Sequence, residues 1–303
     1  MRDFAPVIER CLQRLAQPTT GAARLFHGRG HSYPGYADIT VDFFPPVVLV
    51  ACFSGDEAGA MSLARLLFES LPDVEGVRVQ LRDGRRTRFV QAAGTVPDEL
   101  LAEEDGLKYL IRLTGNLHVG LFLDSAPARE WVRDKARDAR VLNLFAYTCG
   151  FSVAAMAGGA KQVVNVDMSR RALDWGRQNH GFNAHDLRAV RMIAHDVLKS
   201  WSKLRQLGPY DLVIIDPPTS QRGSFNAERQ YGQLLKRLKD LAAPGAYVLA
   251  CLNSPFLHTD FLPAQMAKWC PRCSFLGYLP GSEDFPDVFV DRALKAAMFR
   301  HAG

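Results

Sequence analysis

Val141-Leu142-Asn143-Leu144-Phe145-Ala146-Tyr147-Thr148-Cys149-Gly150, followed by Val163-Val164-Asn165-Val166-Asp167, is the stretch on which the reading of the chain turns. The first run predicts a buried strand and a tight turn, residues 151–158 a helix rich in small side chains, and the second run a strand ending on a carboxylate. Parallel strands covered on both faces appear as continuous apolar runs, and open α/β sheets bind ligands at the carboxyl ends of their strands. Asp167 then stands where a ribose needs a hydrogen-bond acceptor, and Gly150 is expected to open the turn for close approach of a ligand. The same pattern fits any α/β fold, so its surroundings must narrow it.

The 303 residues, 48% hydrophobic and 23% charged, have the composition of an ordinary soluble globular protein, and the length suits one large domain with a smaller one. The longest early apolar run, residues 47–53, is too short to cross a bilayer, and Asp3 and Glu9 interrupt what a signal peptide would need. A cytoplasmic protein without a membrane partner is expected. Cys11, Cys52, Cys149, Cys251, Cys270 and Cys273 lie in apolar surroundings without framework spacing, as reduced buried thiols do. Cys270-Pro271-Arg272-Cys273 has the gap of a metal or redox pair, but no second pair and no paired histidines accompany it, so no metal site is expected.

Net charge is +5 and unevenly spread: residues 1–106 hold 11 Lys and Arg against 15 Asp and Glu, residues 107–303 hold 26 against 17. A basic second part suits a polyanionic partner, and equally an ordinary solvated surface.

Residues 3–16 have helical spacing and stop near Pro18. Residues 25–35 form a loop crowded with glycine, aromatic and basic residues, suited to RNA contact or to tying the loop down. Strands 39–44 and 47–53, a helix over 57–71, and a hairpin of 76–81 with 87–92 around Asp83-Gly84 give the order ββαββ. The hairpin tip, residues 82–88, carries Arg82, Arg85, Arg86 and Arg88 and reads as a phosphate-facing edge or as a charged edge that discourages aggregation. An acidic linker is expected over 97–106. Beyond it strands and helices alternate: strands 107–113 and 120–124, a helix over 126–138, the opening unit, a helix over 169–181 capped by Ser169, strands 189–193 and 210–215, a long helix over 227–241, and strands 246–251, 274–279 and 294–300. The expected domains are 1–36, a helix and loop; 37–105, the accessory unit; and 106–303, the catalytic part.

Asp167, Asp196 and Asp216 fall at successive strand ends, which a doubly wound sheet gathers along one edge. A dehydrogenase places Gly-x-Gly-x-x-Gly in its first turn; this chain has Phe145-Ala146-Tyr147-Thr148-Cys149-Gly150. A cofactor without a pyrophosphate needs fewer glycines, and S-adenosylmethionine is the candidate, with Asp167 at the ribose, Asp196 at the adenine amino group and the turn at the methionine end.

At Asp216-Pro217-Pro218-Thr219 the chain comes to resemble class I S-adenosylmethionine-dependent methyltransferases. Within that class it is similar to the ribosomal-RNA large-subunit methyltransferases that make 5-methylcytosine and 7-methylguanine, closer to the 7-methylguanine subgroup. The resemblance is carried by Gly120-Leu121-Phe122-Leu123-Asp124, residues 142–148, Val166-Asp167-Met168-Ser169, Asn179 with Asn183, and the Asp216 motif. It implies an α/β fold, a doubly wound, mostly parallel seven-stranded sheet preceded by a small ββαββ α+β domain. It further implies cofactor contacts from Phe122, Asp124, Asn143, Phe145, Tyr147, Thr148, Gly150, Asp167, Met168, Asp196 and Asp216, with Asp216, Pro217, Pro218 and Asn253 at the reacting base. Tyr147, Phe122 and Phe225 read either as stacking walls for a flipped base or as core.

Two departures bear on mechanism. Ala126 stands where the family commonly has an arginine, although Arg129 matches a later one, and Asn253 stands where the cytosine-C5 subgroup has its nucleophilic cysteine, with Cys251 inside the preceding strand. C5 of cytosine needs a thiolate to add at C6, whereas a nitrogen needs mainly positioning, so the implied reaction is methylation of a nucleobase nitrogen of RNA, ribosomal RNA above all. Methylation of a small molecule or protein, and a non-catalytic RNA-binding assembly factor, stay open as alternatives.

Overall fold

The computed structural model describes residues 2–18, 21–84, 86–115, 117–221 and 225–302. It divides into two compact units, residues 1–124 with 282–288, and residues 125–281 with 289–303.

In the first unit, helix α1 (Ala5–Leu15) buries Val7 and Cys11. The sheet holds β1 (Ala23–His27), β2 (Ile39–Phe44), β3 (Val47–Cys52), β4 (Gly76–Asp83) and β5 (Arg86–Gly94) in that spatial order. β3 and β4 are parallel and joined through α2 (Glu57–Ser70), whose first turn is capped by Asp56 accepting from Gly59 N at 2.9 Å. The expected ββαββ order is present, but the glycine-rich segment before it contributes a fifth strand: β1 pairs with β2, and Arg24 forms an ion pair with Asp42 across that pairing. Residues 282–288 return to this unit, where Val288 N donates to Gly30 O at 2.9 Å and Arg14 pairs with Asp284.

The expected acidic linker is instead β6 (Glu99–Glu104), paired antiparallel with β7 (Leu107–Arg112). Glu99, Leu101 and Glu103 face solvent and Ala102 is buried, an alternation hidden in sequence by acids on both sides of it. The boundary expected at 105/106 therefore falls at 124, and 107–113 belongs to the first unit rather than the catalytic part. Residues 120–124 form no strand; Leu123–Ser125 is a 3₁₀ turn.

The hairpin arginines divide. Arg88 pairs with Glu57, while Arg82 and Arg29 lie 4.8 and 4.2 Å from the centroid of the Phe53 ring. Burial lowers both guanidinium pKa values, each reinforced by a neighbouring arginine. Arg85 and the side chain of Arg86 lie outside the described residues.

The second unit runs α3 (Ala126–Lys135), β8 (Arg140–Leu144), α4 (Gly150–Ala157), β9 (Gln162–Asp167), α5 (Arg170–Phe182), β10 (Val190–Ala194), α6 (Trp201–Leu207), β11 (Tyr210–Ile215), the two-residue strands β12 (Ser220–Gln221) and β13 (Phe225–Asn226), α7 (Ala227–Leu235), α8 (Leu238–Leu241), β14 (Ala242–Leu252), α9 (Phe261–Trp269), β15 (Cys273–Tyr278) and β16 (Lys295–His301). The long helix expected over 227–241 is broken between α7 and α8.

The seven-stranded sheet has the order β10-β9-β8-β11-β14-β16-β15; the first five strands are mutually parallel, and β16 alone runs antiparallel to its neighbours β14 and β15. This is the expected doubly wound sheet. The chain winds outward from β8 to β10 and then returns to β11, so the topological switch lies between β8 and β11, where such sheets open a ligand crevice. The pairing of β15 with β16 also sets Cys273 opposite His301, a single histidine brought beside the Cys270–Cys273 pair by strand register.

Candidate active site

Strand register fixes what meets at the switch. Ile193, Val166, Leu144, Ile215 and Ala250 form one row across the sheet, so the next residues along, Asp167, Phe145 and Asp216, leave it side by side. Asp167 and Asp216 are two strand spacings apart, roughly 10 Å of backbone. Asp196 lies two residues beyond Ala194, the partner of Asp167, and Asn253 one residue beyond the end of β14.

The turn after β8 is wound tightly. Phe145, Tyr147 and Cys149 all have positive φ, at 60°, 46° and 63°. Left-handed backbone at a non-glycine residue costs about 1–3 kcal/mol, so three in five residues persist only where neighbours hold them. Ala146 N donates to Val166 O at 3.0 Å, Tyr147 N to Asp167 Oδ2 at 2.8 Å, and Asn179 Nδ2 to Thr148 O at 2.9 Å. Gly176 on α5 closes the last side: a Cβ there would stand 2.4 Å from Cys149 Sγ, so only glycine lets the helix come this near. Gly150, expected to provide the opening, has no positive φ, and a Cβ on it would make an ordinary 3.7 Å contact with Arg129.

Asp167 serves both turn and crevice. Its Oδ1 accepts from Ser169 N at 2.8 Å, its Oδ2 from Tyr147 N, and Ser169 Oγ caps α5 by accepting from Ala172 N. Burial pushes its pKa up, and the two backbone N–H groups pull the other way. Each oxygen keeps acceptor capacity beyond its one backbone bond, which fits the two hydroxyls of a ribose. Met168, 51% exposed, follows it at the rim. Asp196 is half-buried, with Oδ1 accepting from Leu198 N at 2.9 Å.

Asp216 is half-buried, Pro217 buried and Pro218 half-buried; Asn253 is exposed. Thr219 Oγ1 donates to Asn253 O, tying the segment after β11 to the segment after β14. Beneath them Tyr231 of α7 donates to Cys251 O at 2.8 Å and approaches Ile215 O at 3.3 Å, bridging the two strand ends. Burial raises its phenol pKa well above the ordinary value and keeps it a donor. Nothing in the sequence marked this tyrosine or Gly176. Cys251 is 1% exposed and packs with Val141, Ile214 and Leu249.

Two of the expected contacts are buried, and one open reading resolves to core. Asn143, 1% exposed, sits inside β8 and donates to Asn165 Oδ1 at 2.9 Å; Asn165 donates to Ser152 Oγ, which meets His180 Nε2, both at 2.9 Å. It belongs to a buried relay, because a polar residue in mid-strand must find its partners in the layer below. Thr148 is 2% exposed, and its carbonyl accepts from Asn179 Nδ2 in the turn. Phe225, 3% exposed, packs its ring 5.1 Å from that of Phe145 and is core. Tyr147 is half-buried against Trp175, ring centroids 6.2 Å apart. Phe122 and Asp124 fall in the first unit, with the Phe122 ring 5.0 Å from His118.

A cleft of ≈ 690 Å³ opens over α5, the end of β10 and α6, lined by Arg170, Arg177, Lys199 and Lys203 with Asp174, and Lys199 Nζ stands 3.7 Å from Asp196 Oδ2. Its lining includes Ala194, the strand partner of Asp167, and His195. No helix among the described residues is long and apolar enough to cross a membrane.

A "Ribosomal RNA large subunit methyltransferase I" from Cronobacter sakazakii is 32% identical over 255 residues, 80% of this chain and 64% of the relative. Its Klebsiella pneumoniae counterpart is 33% identical over 80% of this chain and 63% of the relative. The chain thus spans under two-thirds of the length of these curated relatives. Among solved structures, a SAM-dependent methyltransferase from Streptococcus mutans shares the fold at a TM-score of 0.85 and 23% identity, over 99% of this chain and 82% of that one. The S-adenosylmethionine-dependent methyltransferase family profile matches residues 23–300, through both units, and with the braced turn, Asp167 and the Asp216 motif all inside that span, the chain belongs to this family.

Proposed function

We propose that this chain transfers a methyl group from S-adenosylmethionine to a nucleobase nitrogen of RNA, ribosomal RNA being the favoured substrate. The observation that carries the RNA reading is the similarity, over 80% of the chain, to proteins named for ribosomal-RNA methylation. The cleft beside β10 supports it, since its four cations outnumber Asp174 and the Asp196 partner of Lys199 and leave a net positive depression that attracts a phosphate backbone.

Bound S-adenosylmethionine supplies an already activated sulfonium methyl. The chain's own work is positioning: Asp167 accepts from the ribose hydroxyls, Asp196 from the adenine amino group, and the braced 145–149 turn receives the methionine end. Asp216, Pro217, Pro218 and Asn253 orient the target base, with Tyr147 the remaining candidate in this unit for stacking. The exposure of Asn253 and the burial of Cys251 favour nitrogen over carbon, because no thiol in this part of the site reaches the surface to add to a pyrimidine ring.

The test is transfer of labelled methyl groups into ribosomal RNA from cells lacking this gene, followed by mass spectrometry of the nucleosides. Label in an N-methylated nucleoside supports the proposal. Label confined to protein or to small molecules overturns the substrate, and label in 5-methylcytosine overturns the target atom.

A further inference from the structure

Far from the crevice, the second unit gathers a cluster that methyl transfer does not use. Cys270 ends α9, Cys273 opens β15 and His301 closes β16. Their ligand atoms all lie within 4.8 Å of one another, and all three residues are buried. The two sulfurs are 3.3 Å apart across a turn in which Cys273 N donates to Cys270 O at 2.9 Å. The imidazole of His301, 4% exposed, has Nδ1 3.3 Å from the carbonyl of Ala243, while its Nε2 is buried without a hydrogen-bond partner among the described residues.

That last atom is the telling one. Native proteins rarely leave a buried polar atom unsatisfied. With Nδ1–H donating to a carbonyl, Nε2 carries the lone pair, the arrangement found in metal-binding histidines. Two sulfurs and one imidazole nitrogen suit a borderline-soft cation and not calcium or magnesium, which take oxygen ligands. Charge narrows the choice. Both cysteines belong to the apolar core cluster that holds Leu241, Met266 and Phe299, and Arg272 between them is the charged neighbour that acts on Cys270. A divalent ion with two thiolates is electrically neutral and brings no net charge into that core.

We propose that Cys270, Cys273 and His301 bind a structural zinc ion. On binding, both thiols release their protons to solvent, the thiolates and Nε2 donate to the metal, and a fourth position is left to a small ligand. The role is mechanical. His301 stands at the end of β16 remote from Lys295, which pairs with Leu252 near Asn253, so the cluster sits at the opposite end of the sheet from the crevice. It pins the edge strand β15 to β16, to the end of α9 and, through Ala243, to the start of β14. The lone-pair geometry was invisible in sequence because His301 meets the cysteines only through strand pairing.

The test uses the untagged full chain purified from zinc-supplemented medium under reducing conditions. Elemental analysis should find about one zinc per chain. Metal-stripped protein titrated with cobalt should develop thiolate-to-cobalt charge-transfer absorption that saturates at about one equivalent, and a strong chelator should lower the melting temperature. Cys273→Ser and His301→Ala should each lose most of the zinc. The cobalt titration of the unmodified chain decides, since it does not depend on the folding of either variant. Absence of both zinc and the charge-transfer band overturns the proposal, as does a metal-free chain in which Cys270 and Cys273 are joined as a disulfide, detected as a pair of hydrogens missing and two thiols unreactive to alkylation.

Discussion

Tyr147 N donates to Asp167 Oδ2 at 2.8 Å, so the carboxylate proposed to hold the cofactor's ribose also holds the backbone turn that receives its other end. The two tasks are coupled through one side chain. Asp167→Ala should weaken S-adenosylmethionine binding by ~1.5–3 kcal/mol, the range for losing hydrogen bonds to a charged group. It should also lower the melting temperature of the free protein, since Tyr147 and Ser169 both lose an acceptor. Calorimetric titration checks the first effect; undiminished affinity would remove Asp167 from the site.

Tyr231→Phe tests the bridge beneath the Asp216 segment. The phenol is fully buried and serves the carbonyls of Cys251 and Ile215. Its loss leaves a buried carbonyl short of a donor, at a cost of ~1–3 kcal/mol. Turnover should fall further than cofactor affinity, because the bridge lies under β11 and β14 and not under Asp167. Equal losses in both would mean a general loosening of the sheet.

The sheet and its row of carboxylates were legible because parallel strands announce themselves as apolar runs and the acids stand directly after them, as at Val166-Asp167 and Ile215-Asp216. Ser169 was legible as a cap for the same reason: its partner, Ala172, is three residues away. What escaped depends on partners distant in sequence. Asn143 reads as a ligand contact until Asn165 and Ser152 come under it, and Phe225 stays open between wall and core until Phe145 packs on it. The turn was misread more subtly. Glycine signals left-handed backbone, yet here Phe145, Tyr147 and Cys149 adopt it because Asp167, Asn179 and Gly176 hold them there. Residues 282–288 return to the first unit without any local signal.

The buried relay predicts a pH dependence. Asn165 donates to Ser152 Oγ, which lies 2.9 Å from His180 Nε2, and His180 Nδ1 faces His185 Nδ1 at 3.0 Å. Burial above all, with His185 and Arg177 adding to it, holds the His180 pKa down to about 3. An unfolded histidine takes up a proton near pH 6.5. Below that pH the unfolded chain binds a proton that the folded chain refuses, so the stability from neutral His180 is complete above about 6.5 and is lost progressively as pH falls toward 3. His27 in the first unit, also held to about 3, acts in the same direction. His180→Gln should make the fall in melting temperature between pH 6.5 and 4 shallower than in the unmodified protein. An unchanged slope would show that His180 titrates normally.

RNA binding should weaken steeply with salt if the cleft over α5 and α6 carries phosphate. Replacing Lys199 and Lys203 with alanine removes two of its four cations and should reduce the slope of log affinity against log salt by roughly 1.5, the value for two phosphate contacts. A parallel pair at Arg29 and Arg82 asks the same of the first unit, where both guanidiniums are partly desolvated. Binding that is independent of salt in the unmodified protein would count against an RNA substrate.

The identity of the attacking atom rests on Cys251 and Asn253. Cys251 lies inside β14 with its side chain packed among Val141, Ile214 and Leu249, whereas Asn253 emerges one residue past the strand end and accepts from Thr219 through its carbonyl. A cytosine-C5 mechanism needs a thiolate in contact with the base, and a thiol packed in the core cannot supply one without opening the sheet. Cys251→Ser should therefore keep most of the methyl transfer and lose some stability, since a hydroxyl is placed among apolar neighbours. Asn253→Ala and Asp216→Ala should lose much of the transfer while leaving the fold intact, because both lie beyond the ends of their strands. RNA carrying 5-fluorocytosine, which traps enzymes that attack C6, should leave no covalent adduct. An adduct, or the abolition of turnover by Cys251→Ser in a folded protein, would reverse the assignment from nitrogen to carbon.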